Sequence, residues 1–369
     1  MTPARRRTIA RPWRVSALGT SSRNGQALPA AAGGKRQQTG GTGQQPVINQ
    51  ALEITRMDPT RRTLLQAALA CAPAVLAARP ALAAQTLGAS TALPVWPDRA
   101  PGGSGPGGAE RVNRKGSLTN VAQARLQVYR PARPNGSAAL VIAGGGYAHI
   151  QAGTESTPAC RWLQSLGVTA FELIYRLPGE GWSNLAPFQD GQRAMRLIRA
   201  NATASGLDPQ RIGVLGFSAG AHLGGTLATQ PEAAYYAAID ATDRVAARPD
   251  FAALIYPVLT FMPPFDQTHA RREIIGDTPD AAQSAAFSVE RHVDAHTPPT
   301  FLAQACDDPI SPVDNSVLMF NALRAAGIQV EMHLFEAGGH GWGMGAPGSL
   351  VQAWPQLFSA WSTRHGWTG

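Results

Sequence analysis

The sequence predicts an α/β fold, a mostly parallel central sheet with helices on both faces. Three observations predict it. Short apolar runs alternate with longer amphipathic ones from about residue 137 onward, and strand–helix alternation builds parallel sheets with right-handed crossovers. One apolar run, Ile212-Gly213-Val214-Leu215, turns through Gly216-Phe217-Ser218-Ala219-Gly220 into a small-residue helix. Another ends in a glycine triplet, Gly144-Gly145-Gly146.

The chain has 369 residues, which suits two average domains or one large α/β domain. Its formal charge of +8 is unevenly spread. Residues 1–84 carry 12 Lys and Arg against 2 Asp and Glu, and residues 85–369 carry 20 against 22. The high isoelectric point therefore belongs to the N-terminal segment. The body is near neutral and lacks a basic stripe with interleaved aromatics, so nucleic-acid binding does not follow from the charge. The 3 cysteines are Cys71, Cys160 and Cys306. Cys160 and Cys306 could pair in an oxidising compartment; the plainer reading is two buried free thiols.

Residues 1–56 are rich in Arg, Gly, Gln and Ser and show no apolar periodicity. They read as a disordered extension, or as residues wrongly included ahead of a start at Met57. Arg61-Arg62 then precede an apolar stretch over 64–82, broken by Pro73 and Pro80, and Ala81-Leu82-Ala83 is a small-residue cleavage site. Residues 57–84 thus resemble a twin-arginine export signal, from which Leu64 and Gln66 depart. An uncleaved membrane helix is the alternative; the short run and its prolines oppose it. Ala68-Leu69-Ala70-Cys71 is a faint lipobox. The expectation is an exported, periplasmic or secreted body over 85–369, without stable membrane insertion.

Residues 86–118 are Gly/Pro-rich and read as an irregular lead-in. Residues 123–130 alternate apolar and polar like a half-exposed edge strand. Residues 137–143 (SAALVIA) form the first fully apolar strand. A helix at 156–166 ends at Gly167, a strand covers 168–177, and a helix within 184–205 stops at Gly206. The strand at 212–217 and the helix after Ser218 follow. Next come a strand at 251–259 and an irregular stretch at 261–298, with one helix near 281–293. A strand at 300–305, a helix at 313–326, a strand at 329–335 and a closing aromatic helix at 351–361 complete the order.

The chemistry sits where strands end. G-x-S-x-G between a strand and a helix is the signature of a nucleophile turn. A serine on that strained turn projects its hydroxyl above the sheet edge, so the residues two before and two after it, Gly216 and Gly220, must be small. The Ala219 N–H would face a developing oxyanion, and the helix N-terminus favours negative charge there. Bare glycines after the strand at 137–143 let Gly145 or Gly146 supply a second donor. That loop lacks the Lys-Ser/Thr of a P-loop and the G-x-G-x-x-G of a dinucleotide site. A plain turn stays open.

An acid is expected just past 300–305, where Asp307 and Asp308 stand. Asp308, directly before Pro309, is preferred, and Asp307 stays open. A base is expected past 329–335, where His340 lies among glycines. His149 could touch substrate or line a turn. His222 reads as a packing residue and His269 as a surface one. His292 and His296 have a metal-compatible spacing but no third ligand nearby, so no metal is assigned.

Trp96-Pro97, Ala100-Pro101-Gly102, Gly144-Gly145-Gly146-Tyr147, Tyr175-Arg176-Leu177, the Ser218 turn, Asp307-Asp308-Pro309 and Gly338-Gly339-His340-Gly341 together carry a resemblance. Over roughly residues 92–365 the chain resembles the α/β-hydrolase esterases, the acetyl-xylan-esterase-like group above all, which is related to feruloyl esterases and hormone-sensitive-lipase-type enzymes. The resemblance implies serine ester hydrolysis by Ser218, Asp308 and His340, with Gly145, Gly146 and Ala219 as oxyanion donors and without metal or cofactor. Its implied substrate is a small-molecule or oligosaccharide ester, such as acetylated xylan. Substrate contacts are expected at Tyr147 and Trp182, in the segments that cap the sheet edge. Ala143 departs from the His or Pro that related chains carry before the glycines. Two other readings stand beside this one. A prolyl-oligopeptidase-like peptidase shares the residue order but would need a gating domain for which there is no length. A catalytically silent binding protein would have no need of an intact serine, acid and histidine.

Overall fold

The computed structural model describes residues 91–368. The extension at 1–56 and the signal-like stretch at 57–84 lie outside the described residues. The strands are β1 (Thr91–Pro94), β2 (Arg111–Val112), β3 (Leu118–Thr119), β4 (Arg125–Tyr129), β5 (Ala138–Ile142), β6 (Thr169–Ile174), β7 (Ile212–Phe217), β8 (Ala252–Ile255), β9 (Thr300–Ala305) and β10 (Val330–Phe335). The helices are α1 (Ser156–Ser165), α2 (Ala186–Ala200), α3 (Ala219–Thr229), α4 (His269–Ile275), α5 (Ala281–Ala286), α6 (Asp314–Ala325) and α7 (Trp354–Arg364).

Eight strands form one sheet in the order β1-β4-β6-β5-β7-β8-β9-β10. Strands β5 to β10 pair in parallel, and β1 and β4 are antiparallel additions at one end. Strand β5 explains the layering. All its residues are buried, so both faces need cover. Leu140 and Ile142 enter one apolar cluster, with α2 and α3, while Ala139 and Val141 enter the other, with α1 and α7. The chain order 5-6 then 7-8-9-10 reverses direction at β5, so loops leaving β5 and β7 diverge and open a crevice at their C-terminal ends. Ligands of open α/β sheets bind at such points.

The structure corrects several sequence-based expectations. The strand at 125–129 is not an edge, because β1 pairs along it from Thr91↔Val128 to Pro94↔Arg125. Its alternating burial is real, but one polar face does not require a bare edge. The lead-in holds β1 and the small β2–β3 ribbon as well as irregular chain. The stretch at 261–298 holds α4 in addition to a helix starting at Ala281. Cys160 and Cys306 are unpaired, and Cys306 is exposed rather than buried. No helix among the described residues is long and apolar enough to cross a membrane.

A buried ion pair anchors the lead-in. Arg176, just past β6, meets Asp190 of α2 at 2.7 Å with both side chains fully buried. Trp96 donates to the same Asp190 oxygen at 2.7 Å, and Trp182 packs over the guanidinium, its ring centroid 4.6 Å away. The charge is thus buried only with hydrogen bonds and a π face around it.

Candidate active site

Strand β7 ends in the tightest turn of the site. Ser218 has φ +51° and ψ −120°, a conformation that L-residues adopt only when their surroundings hold them there. Its N–H donates to Ile255 O at 3.0 Å, and its carbonyl accepts from Ala221 and His222 as α3 begins. The flanking glycines make the turn possible. A Cβ on Gly220 would lie 2.3 Å from Ile142 O, and one on Gly216 would lie 2.5 Å from Gly220 O. The serine side chain is thereby lifted to the ends of β5 and β7, while the residue stays only 6% exposed.

Two further strand ends complete a hydrogen-bonded run. Ser218 Oγ lies 2.8 Å from His340 Nε2, and His340 Nδ1 lies 2.7 Å from Asp308 Oδ2. Asp308 also accepts from the N–H groups of Ile310 and Ser311, each at 2.9 Å, and from Gln304 at 3.1 Å. It takes the proton of His340 Nδ1 as acceptor, which leaves Nε2 unprotonated toward the serine hydroxyl. Asp307 does something else. Its Oδ1 accepts from Gly338 and Gly339, each at 2.8 Å, and so shapes the loop that carries His340.

The glycine loop lies opposite. Gly145 has φ +114°, and a Cβ there would strike His149 O at 2.1 Å. The N–H groups of Gly145, Gly146 and Ala219 donate to no acceptor among the described residues. Gly144 N–H, in contrast, is committed to Glu155 at 2.6 Å. Free donors beside a serine hydroxyl form the arrangement that stabilises an oxyanion.

The serine opens onto a cavity of about 300 Å³. Gly145, Gly146, Ser218 and His340 line it, together with His149, Gln151, Glu155, Thr268, His269 and the apolar Val258, Ala270 and Ile310. His269 is half-exposed and pairs with Glu273 at 3.3 Å. The sequence reads it as a surface residue, but it stands at the cavity wall, because α4 places it over Gly146.

Tyr147 and Trp182, the expected substrate contacts, are not in that wall. Tyr147 is fully buried. Its φ of +62° turns the ring inward, where the hydroxyl meets His222 Nδ1 at 2.9 Å. Trp182 is buried on Arg176, and its Nε1 donates to Val121 O at 2.9 Å. Both aromatics hold the loops from beneath. His292 faces Ala285 O at 3.1 Å, and the described residues contain no group of three or more His, Cys, Asp or Glu fit to hold a metal.

The BD-FAE family model matches residues 126–323, more than half of the chain. The chain belongs to the BD-FAE family. The BD-FAE proteins are α/β-hydrolase esterases. An acetyl ester-xyloside bifunctional hydrolase from Caldicellulosiruptor lactoaceticus is 32% identical, with a TM-score of 0.66 over 77% of this chain and 100% of that one. An acetylxylan esterase from Xylanibacter ruminicola is 28% identical over 233 residues, 62% of this chain and 46% of that protein. An endo-1,4-beta-xylanase B from Butyrivibrio fibrisolvens is 34% identical over 227 residues, 60% of this chain and 34% of that protein. The chain thus spans less than half the length of these two curated relatives.

Two buried titratable groups of the BD-FAE site pull in opposite directions. Burial lowers His222 from 6.5 to about 4, and its Nε2 donates to Phe287 O at 2.7 Å. The neutral ring therefore accepts the Tyr147 hydroxyl on Nδ1. Its stability contribution is complete above pH 6.5 and is lost as pH falls toward 4, because the unfolded chain takes the proton first. Burial raises Glu155 from 4.5 to about 7. Its contribution is complete below pH 4.5 and is lost as pH rises through 7. Each shift is worth roughly 3 kcal/mol, so the two nearly offset. Glu155→Gln removes one side of that balance. Urea unfolding of this variant should lose stability between pH 7 and 4 more steeply than the wild type does. Parallel curves would contradict the assignment.

Proposed function

We propose that this chain is a serine carboxylic-ester hydrolase that works through an acyl-enzyme and removes acetyl groups from substituted xylan or xylo-oligosaccharides. One observation carries the reading: Ser218 and His340, the latter held by Asp308, line one cavity with Gly145 and Gly146, whose N–H groups are free, as is that of Ala219 next to the serine. Ser218 Oγ attacks the ester carbonyl and passes its proton to His340 Nε2. The carbonyl oxygen takes the charge and meets the glycine-loop and Ala219 donors. His340 then protonates the leaving alcohol, and water releases the acid by the same steps.

The walls support a short acyl group and a hydroxyl-rich alcohol. Val258, Ala270 and Ile310 offer a small apolar surface for a methyl, while His149, Gln151, Thr268 and His269 can hydrogen-bond sugar hydroxyls. The xylan-related names of the relatives support the same class. The catalytic part is assigned to residues 85–369, preceded by a signal at 57–84 for twin-arginine export and by the extension at 1–56. The test is hydrolysis of p-nitrophenyl acetate, butyrate and octanoate, followed by acetate release from acetylated xylan. Expected is kcat/KM falling with acyl length, together with acetate release from the polymer. Turnover of octanoate alone, or none on xylan acetate, would contradict the substrate class.

A further inference from the structure

Glu155 lines the cavity and is 3% exposed, and its two oxygens hold two different segments. Oε2 accepts from Gly144 N–H at 2.6 Å, at the head of the glycine loop. Oε1 accepts from the Tyr256 hydroxyl at 3.0 Å, just past β8. The Tyr256 oxygen in turn accepts from Gly343 N–H at 3.1 Å, three residues beyond His340. The Tyr256 ring packs edge-on against His340, their centroids 5.0 Å apart. Gly343 sits directly on the Glu155 segment, so that a Cβ there would lie 2.1 Å from Thr154 O. Tyr256 itself has φ +36°, a strained conformation that its surroundings must maintain. One carboxyl thus ties the glycine loop to the loop that carries His340.

We propose that Glu155 is a positioning residue that fixes the oxyanion donors and His340 relative to each other, and that its ionised form steadies the imidazolium at His340 during ester cleavage. This rests on the esterase reading above. When Ser218 Oγ bonds the carbonyl carbon, its proton moves to His340 Nε2. The positive ring then has Asp308 in direct contact and Glu155 behind Tyr256. The titratable groups facing Glu155 are Tyr256 from the end of β8, Tyr175 from the end of β6 and His340 from the loop after β10. Asp308 adds its charge at Tyr256. Burial holds the Glu155 carboxyl up, and positive charge on His340 pulls it down. Protonating the ring therefore favours ionising Glu155, and linkage makes the reverse hold. The Gly144 N–H is spent on this anchor, so the glycine loop's free donors are those of Gly145 and Gly146, beside that of Ala219.

The test compares full-length wild type, Glu155→Gln and Tyr256→Phe on p-nitrophenyl acetate across the pH range, with Ser218→Ala as the blank. Glu155→Gln is expected to lose about tenfold in kcat, the effect of one charge-assisted hydrogen bond, while KM stays within about twofold. The acidic limb of its pH profile should move to lower pH, because the imidazolium has lost a stabilising charge. A purely structural lesion would not move that limb. Tyr256→Phe keeps the charge but cuts the link, so kcat falls while the limb stays near that of the wild type. The double variant should lose less than the product of the single losses, since both break one chain of contacts. A Glu155→Gln enzyme with wild-type kcat and an unmoved limb would overturn the proposal. If that variant does not fold, an unaltered kcat in Tyr256→Phe overturns it instead. Wild type without Ser218-dependent turnover is a separate outcome, seen before any variant is measured, and it would remove the esterase reading as well.

Discussion

Ser218→Ala is expected to lower kcat on p-nitrophenyl acetate by about 10⁵- to 10⁶-fold, the scale of loss when the nucleophile of a serine hydrolase is removed. The reason is local. The Ser218 hydroxyl is the group that His340 Nε2 addresses, at 2.8 Å. Without it the covalent step is gone, and only the free N–H groups of Gly145, Gly146 and Ala219 still favour the transition state. They leave roughly 10³- to 10⁴-fold over the uncatalysed reaction. The fold should survive. Alanine accepts the same backbone turn, no more awkwardly than serine does at φ +51°, and the lost hydroxyl has one side-chain partner, His340. An unchanged circular-dichroism spectrum with activity at the blank level is the expected pair of results. Retention of a tenth of the wild-type rate would place the nucleophile elsewhere.

Asp308→Asn carries the next largest effect, a fall of about 10⁴-fold in kcat, because an amide at this position favours the wrong imidazole tautomer. The Ile310 and Ser311 N–H groups hold Oδ1. They would keep the asparagine oxygen and turn its NH₂ toward His340 Nδ1. The ring must then carry its proton on Nε2, facing the serine, where it can take no further proton. Asp307→Asn is the matched control. Its oxygen still accepts from Gly338 and Gly339, so less than about tenfold should be lost. Kinetics of the two variants separate adjacent carboxylates that differ only in what they touch. Equal losses in both would show that the His340 loop, not its tautomer, is what matters.

That pair also marks how far the sequence could be read. The positions of Ser218, Asp308 and His340 are legible because each lies just past a buried strand, and a parallel sheet brings such ends to one edge. Which of Asp307 and Asp308 reaches the histidine depends on how the turn before Pro309 rotates, and adjacent carboxylates give no pattern. Tyr147 and Trp182 mislead for a related reason. An aromatic beside a glycine loop can face in or out, and here the positive φ of Tyr147 and the Arg176 guanidinium beneath Trp182 decide. Glu155 carries no local signal at all. It is one polar residue before a helix, and its importance comes from Tyr256 and Gly144, which are distant in sequence. Strand β1 is short and proline-ended, so composition assigns it to irregular chain, and only pairing with β4 makes it a strand. His269 is similar: a half-exposed histidine becomes a wall residue because α4 lies over the glycine loop.

The most direct test of the account is to treat the protein with an excess of an organophosphate ester such as diethyl p-nitrophenyl phosphate and to map the adduct by peptide mass spectrometry. The account predicts one phosphorylated site, Ser218, with activity falling in step with its occupancy and no adduct on Ser218→Ala. An adduct on another residue, or full activity after Ser218 is occupied, would contradict it.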